Sequence, residues 1–410
     1  MPGAAARRAV VVLAAALLAA CATPVPGADD LDFAALLQPI PGHVTRDGDE
    51  LRIDSPSLLR DGEHHVWGGS VVRGEDGRYH MFCAMFDAGP GARKFGDEWL
   101  FSSVIAHASS AEPDRGYSID GVLLRGRAAE GDPDAFDAQG VHNPHVVRDG
   151  DGVHLFHIGS RDPGAAAAGP AAAKLRTRDR IQQSQCIGVV HATSVEALVA
   201  GRYERPREPL LTPRTRVKPD NVVAPSSPGT APLPDNLIVV NPSVVRAPDG
   251  RVLLYFKGNV YDPRWRGVHG VAIGDSMRGP IHAGDDYVFD VRLEDGRIAS
   301  AEDPFVWFDA SRRRFYALVK DFSGRLTGAA PGLALLTSAD GMAWQRAQYP
   351  LASAKQLRFA DGTVLPVQNL ERPQLLFDDH GQPIALFCAC IVGDGYRGHA
   401  CNVQIPLVDR

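Results

Sequence analysis

The sequence predicts an all-β fold, a five-bladed β-propeller with four antiparallel strands per blade, and three observations carry that expectation. Five segments repeat one plan: a short polar tag, mostly closed by Pro, then an apolar strand, a polar turn and a second apolar strand. The tags start at 68, 143, 241, 303 and 372, spacings of 75, 98, 62 and 69 residues, which is room for four strands and their loops. Gly (42) and Pro (31) are frequent and 44% of the chain is hydrophobic, which suits many short strands around a large core.

The first unit opens on Gly68-Gly69-Ser70 and continues VVRGEDGRYHMFCAMF. The second opens on Asn143-Pro144-His145, the third on Asn241-Pro242-Ser243, the fourth on Asp303-Pro304-Phe305 and the fifth on Arg372-Pro373-Gln374. Asp-Gly between β-branched and aromatic runs, as at Asp76-Gly77 and Asp249-Gly250, is a hairpin signal. Third strands are expected at 102–110, 186–194, 269–276, 332–341 and 402–408, and fourth strands at 117–124, 203–211, 282–289 and 344–351. The last unit ends before a fourth strand, so a segment near 44–54 is expected to supply it and close the ring. The long second spacing holds two insertions, 161–185 and 212–236, expected as loops over one face.

The first twenty residues read as a leader. Arg7-Arg8 precede an apolar run, Ala9 to Leu18, too short to span a bilayer as a stable helix. Leu18-Ala19-Ala20-Cys21 resembles the bacterial lipobox, and that resemblance implies acylation of Cys21 and an exported lipoprotein on the outer membrane. The expected organisation is a lipoprotein signal at 1–20, a lipid-anchored tether at 21–43 and the propeller at 44–410. The formal net charge is −6, and loss of the two leader arginines makes the remainder more acidic, a poor match for nucleic acid. Besides Cys21 there are five cysteines, an odd number, and no paired C-x-x-C motifs of a structural zinc site.

In a propeller the first strand of each unit lines the axis, so the five tags converge on one end of the channel, a concave meeting of polar groups. The residues at that level are Trp67-Gly68-Gly69, His142-Asn143-Pro144, Val240-Asn241-Pro242, Glu302-Asp303-Pro304 and Glu371-Arg372-Pro373. These tags, with Glu-Asp-Pro and Glu-Arg-Pro in the last two, resemble the five-bladed glycoside hydrolases of family 43 and their relatives in families 32, 62, 68, 117 and 130. The resemblance covers roughly residues 55 to 408. It implies three carboxylates around the channel: a base or nucleophile from the first blade, an acid that tunes ionisation, and a Glu as proton donor. The sequence departs from that pattern at the first blade, where Gly68 or Gly69 takes the place of the acid.

Glycoside hydrolysis needs two carboxyl groups across the scissile bond, one protonated and one ionised. Glu302 and Glu371 stand at equivalent levels of adjacent units and are the expected pair, Glu302 as proton donor and Glu371 as base. Asp303 is expected to modulate ionisation, Asp321 to face the site from the end of its strand, and Asp137 to stand in reserve for the absent base. His65, Trp67, His142, Asn143, Asn241, Lys320 and Arg372 are the binding candidates, and Asp97-Glu98-Trp99 a candidate rim. No ligand spacing supports a channel metal, and no G-x-S-x-G motif marks a nucleophilic triad. A carbohydrate is the expected partner. Two other readings stay open on sequence alone: a non-catalytic carbohydrate-binding lipoprotein, and a lyase acting on uronate glycans.

Overall fold

The computed structural model describes residues 31–150, 152–164, 175–261, 264–293, 296, 298–299 and 301–408. The leader and Cys21 lie outside the described residues. Five antiparallel sheets are arranged as a five-bladed β-propeller. Blade one is His64–Arg73, Tyr79–Asp87, Val104–Ser110 and Ser118–Leu124; blade three is Val240–Arg246, Val252–Tyr261, Trp265–Gly274 and Ile281–Ala283; blade four is Ala301–Asp309, Arg314–Asp321, Gly332–Ser338 and Gln345–Ala354. In blade two, Gly140–Asp149, Gly152–Ser160 and Cys186–Ala192 form the ladder, and the fourth position is held by single bridges, His191 to Glu204 and Ile187 to Leu211.

The first strands of neighbouring blades touch all the way round, one to two, two to three, three to four, four to five and five to one. An apolar cluster fills each gap between blades. Phe82 shares a cluster with Leu155, Phe156 with Leu254, Tyr255 with Ala317, Leu318 with Leu386, and Phe387 with Met81. The second strands are therefore sandwiched on both faces. Pro383–Val392 and Tyr79–Asp87 are accordingly near-continuous apolar runs rather than alternating ones.

Ring closure corrects the expected boundaries. The fourth strand of blade five (Val364–Phe377, Pro383–Val392, Cys401–Pro406) is the two-residue strand Leu58–Leu59, paired as Asn402 to Leu59 and Val403 to Leu58. Residues 43–54 instead fold on themselves, His43–Asp47 against Glu50–Asp54. Residues 31–40, expected in the tether, are part of the globule. Leu31, Phe33, Leu36 and Ile40 are buried in the cluster between blades four and five, and the Gln38 N–H donates to the Pro406 carbonyl at 2.9 Å. Their apolar periodicity is what the tether reading overlooked. Two inserted helices also fall in segments expected as strand or loop: α1, Phe95–Ser102, between the second and third strands of blade one, and α2, Thr177–Gln183, in the first long insertion.

Candidate active site

The five tags are five copies of one backbone device. In every first strand the register slips at the tag, between Trp67 and Gly69, His142 and His145, Val240 and Ser243, Glu302 and Phe305, and Glu371 and Gln374. One residue in each slip adopts the left-handed conformation: Gly68 (φ 53°), Asn143 (48°), Asn241 (57°), Asp303 (54°) and Arg372 (53°). Gly has no Cβ to clash there, and the short polar side chains of Asn and Asp tolerate the region; Arg372 is the sterically costly member. The Pro that follows in four of the five has no N–H, and a bulge leaves that place unpaired in any case.

The left-handed residues join into a belt across the axis. Asn143 Nδ2 donates to Asn241 Oδ1 at 2.9 Å, Asn241 Nδ2 donates to Asp303 Oδ1 at 2.7 Å, and Arg372 Nη1 lies 3.5 Å from the same oxygen. Gly68 fills the fifth place with no side chain. A Cβ there would sit 3.3 Å from Arg372 Cβ and Cγ, so the arginine from blade five occupies the space beside the first blade. The absent first-blade acid thus has a physical counterpart, a buried guanidinium in its stead.

The residue before each left-handed one faces a cavity of about 440 Å³ above the belt, lined by Trp67, His142, Glu302 and Glu371 among others. Each is paired with a residue on its second strand: Trp67 with Ala84, His142 with Ile158, Val240 with Lys257, Glu302 with Lys320 and Glu371 with Ala389. The charges come from blades three, four and five. Lys257 Nζ donates to Glu302 Oε1; Lys320 Nζ lies 3.4 Å from Glu302 Oε2 and 2.6 Å from Glu371 Oε1; Asn369 Nδ2 also donates to Glu371 Oε1.

These contacts set the ionisation. Burial alone would raise the Glu302 carboxyl, but the ammonium groups of Lys257 and Lys320 outweigh it and hold the group well below the usual carboxylate range. Asp303 goes the other way: burial, then the Glu302 charge beside it, push it up to about 6 against the pull of Arg372 and Lys320. Burial works against the charge on Lys320, yet Glu302, Asp303 and Glu371 raise its pKa, so it stays an ammonium. Burial and the Arg372 charge push His142 down to about 3, leaving a neutral ring whose Nδ1 is 2.8 Å from Ser103 Oγ. Trp99, on α1, stacks on that ring at 4.9 Å, and with Trp67 and Phe95 it forms an aromatic wall.

Nine of the expected site residues therefore meet at one place: Glu302, Asp303, Glu371, Trp67, His142, Asn143, Asn241, Lys320 and Arg372. Others do not. Asp137 is fully buried away from the cavity between Arg127 Nε at 3.2 Å and Arg205 Nη2 at 2.7 Å, which removes it as a reserve base. Asp321 accepts backbone N–H bonds from Ser323, Gly324, Leu326 and Thr327; it organises a loop instead of facing the site. His65 lies behind the aromatic wall against Phe86 and Phe95, with Nδ1 accepting the Ala400 N–H at 3.1 Å. The proton-donor role expected for Glu302 runs against its two ammonium partners. Of the rim candidates only Trp99 faces the cavity, since Asp97 pairs with Arg178 at 2.6 Å and Glu98 is buried against Arg93.

Lys257, Asn259, Tyr261, Trp265 and Gln185 line the cavity and went unanticipated. Lys257 had a signal: aligning the hairpins puts it at the level of Lys320. Among the described residues no group of three His, Cys, Asp or Glu side chains is placed to hold a metal ion. The channel's other end opens into a larger cavity of about 750 Å³, walled by Val71, Val146, Val244, Phe305 and Leu375. Acids on its rim are claimed by surface ion pairs, Glu75 with Arg148, Asp149 with Arg246 and Asp379 with Arg73.

No sequence-family model and no curated protein sequence matches the chain. Solved structures match it by fold. A family 117 glycoside hydrolase from the marine bacterium Zobellia galactanivorans aligns at 14% identity over 91% of this chain and 91% of its own, with a TM-score of 0.50. A thermostable family-43 glycoside hydrolase aligns at 9% identity over 86% of this chain and 92% of its own, with a TM-score of 0.52. Fructan 1-exohydrolase IIa from Cichorium intybus aligns at 12% identity over 86% of this chain and 58% of its own, with a TM-score of 0.51. At such identities the likeness is one of fold: the chain has the five-bladed propeller of glycoside hydrolases.

Proposed function

We propose that the chain hydrolyses a glycosidic bond in a carbohydrate seated on the belt of left-handed residues, with Glu302 and Glu371 as the reacting carboxylates. The observation that carries this reading is the meeting of Glu302, Asp303 and Glu371 in one aromatic-walled cavity, under opposed electrostatic pressures. Glu302, held ionised by two ammonium groups, suits the base and the stabilisation of developing positive charge at the anomeric carbon. Asp303 is tied into the belt by Asn241 and Arg372. Glu371, which meets the one shared ammonium of Lys320 where Glu302 meets two, is the group that passes a proton to the leaving oxygen. The anomeric C–O bond breaks as a water oxygen bonds to that carbon; the water proton goes to Glu302. Lys320, touching both glutamates, holds their orientation. The belt of left-handed residues beneath the cavity favours removal of terminal residues.

The test is turnover of a panel of aryl glycosides and oligosaccharides by the purified protein and by Glu302→Gln and Glu371→Gln. Loss of roughly 10²–10⁴-fold in each variant, smallest in Glu371→Gln on substrates with good leaving groups, supports the assignment. Sugar binding without turnover on any substrate favours the non-catalytic reading. From the leader we further propose a lipid anchor on Cys21 and an exported, outer-membrane location.

A further inference from the structure

Beyond Lys257, the second hairpin of blade three carries groups that the belt and the glutamates do not use. In Val252–Tyr261, residues 257, 259 and 261 share one face, and their cross-strand partners are His269, Gly267 and Trp265. From floor to mouth that face reads ammonium, amide, aromatic pair. Lys257 donates to Glu302. Gly267 leaves room for it, since a Cβ there would come within 2.9 Å of Lys257 Cε. Asn259 Oδ1 is buried and has no protein partner. At the mouth stand Tyr261 and Trp265, both lining the same cavity as the carboxylates. Trp265 is 48% exposed, and Lys257 Nζ lies 5.4 Å from its ring centroid. Half of a large apolar side chain thus faces solvent at the rim of the cavity that holds the carboxylates.

We infer that Tyr261 and Trp265 form a leaving-group subsite, a platform for the second sugar of an oligosaccharide with a pyranose C–H face to stack. This rests on the hydrolytic reading for its direction, because the floor takes the terminal residue and the mouth takes the next. Stacking on an aromatic face binds sugar without fixing its hydroxyl pattern, so the platform selects for chain length rather than for identity. An aromatic cross-strand pair also steadies a hairpin, and a purely structural role would affect all substrates alike.

The experiment compares wild type, Trp265→Ala and Trp265→Phe on glycosyl fluorides, whose leaving group is too small to reach the platform, and on gluco-, xylo-, manno- and arabino-oligosaccharides. Tryptophan emission on adding the same oligosaccharides is recorded in parallel. Trp265→Ala is expected to raise KM for oligosaccharides about tenfold with glycosyl fluorides affected far less, and Trp265→Phe to restore most of it. Oligosaccharides should blue-shift wild-type emission beyond the shift that the matching monosaccharides give through Trp67 and Trp99, and Trp265→Phe should lose that excess. Equal effects on both substrate types, an excess shift that persists in Trp265→Phe, or no excess shift with any oligosaccharide overturns the subsite. Should nothing be turned over, the hydrolytic reading fails by itself, and the emission shift and its loss still decide the platform.

Discussion

Replacing Glu302 by Gln tests the ion cluster in a way that needs no substrate. The side chain is held by two ammonium groups, Lys257 and Lys320, in a site where the three side chains are 9 to 18% exposed. At the 3.4 Å separation from Lys320, a unit-charge pair is worth about 5 kcal/mol at an effective dielectric constant of about 20, before desolvation is subtracted. Lys320 keeps Glu371 as a partner, but Lys257 is left as an uncompensated, largely buried cation. Removing one member of such a pair costs roughly 3–5 kcal/mol. Glu302→Gln should therefore lose about 3 kcal/mol in urea unfolding at neutral pH. Lys257→Met combined with Glu302→Gln should recover most of the loss. A single variant within about 1 kcal/mol of wild type, or a double variant no more stable than the single, would refute the argument that the two lysines hold Glu302 ionised.

Four more expectations concern the belt, the ring and the leader. Asp303 has a folded-state pKa raised to about 6, so the folded protein binds its proton more tightly than the unfolded chain, and stability should fall as pH rises through 4 to 6; in Asp303→Asn that part of the pH dependence should vanish in unfolding titrations. Gly68→Ala places a Cβ in a left-handed residue 3.3 Å from Arg372, and should cost about 1–2 kcal/mol in urea unfolding, whereas a first-blade position free of these constraints would tolerate it. Deleting residues 369–410 removes blade five and uncovers Met81 and Leu318 on its two neighbours, so the remainder should not melt cooperatively; a soluble truncation with native-like melting would contradict a closed ring. Cys21→Ser should move the protein from the membrane to the soluble fraction, and persistence at the membrane would refute the lipid anchor.

The blade plan was legible because each blade is a covalently contiguous hairpin that must bury both faces, and that requirement writes the same tag, strand and turn five times. The tag positions were legible for a related reason: a left-handed bulge admits few residues, and Gly68, Asn143, Asn241 and Asp303 belong to the tolerant set. Ring closure was misplaced because Leu58–Leu59 is too short to show any period, while residues 43–54 have the look of strands and are strands, paired only to each other. Asp137 and Asp321 were misjudged because an acid near a tag in sequence says nothing of the arginines or amides that claim it in space. The ionisation of Glu302 was hidden for the same reason, since half of it is decided by Lys257 from another blade.

The most direct test is a crystal structure of the Glu371→Gln protein soaked with an oligosaccharide it binds. The terminal sugar should sit in the 440 Å³ cavity on Asn143 and Asn241, between Glu302 and residue 371, with the next sugar on Trp265. A sugar in the 750 Å³ cavity at the opposite end of the channel, with the carboxylate cavity empty, would contradict it.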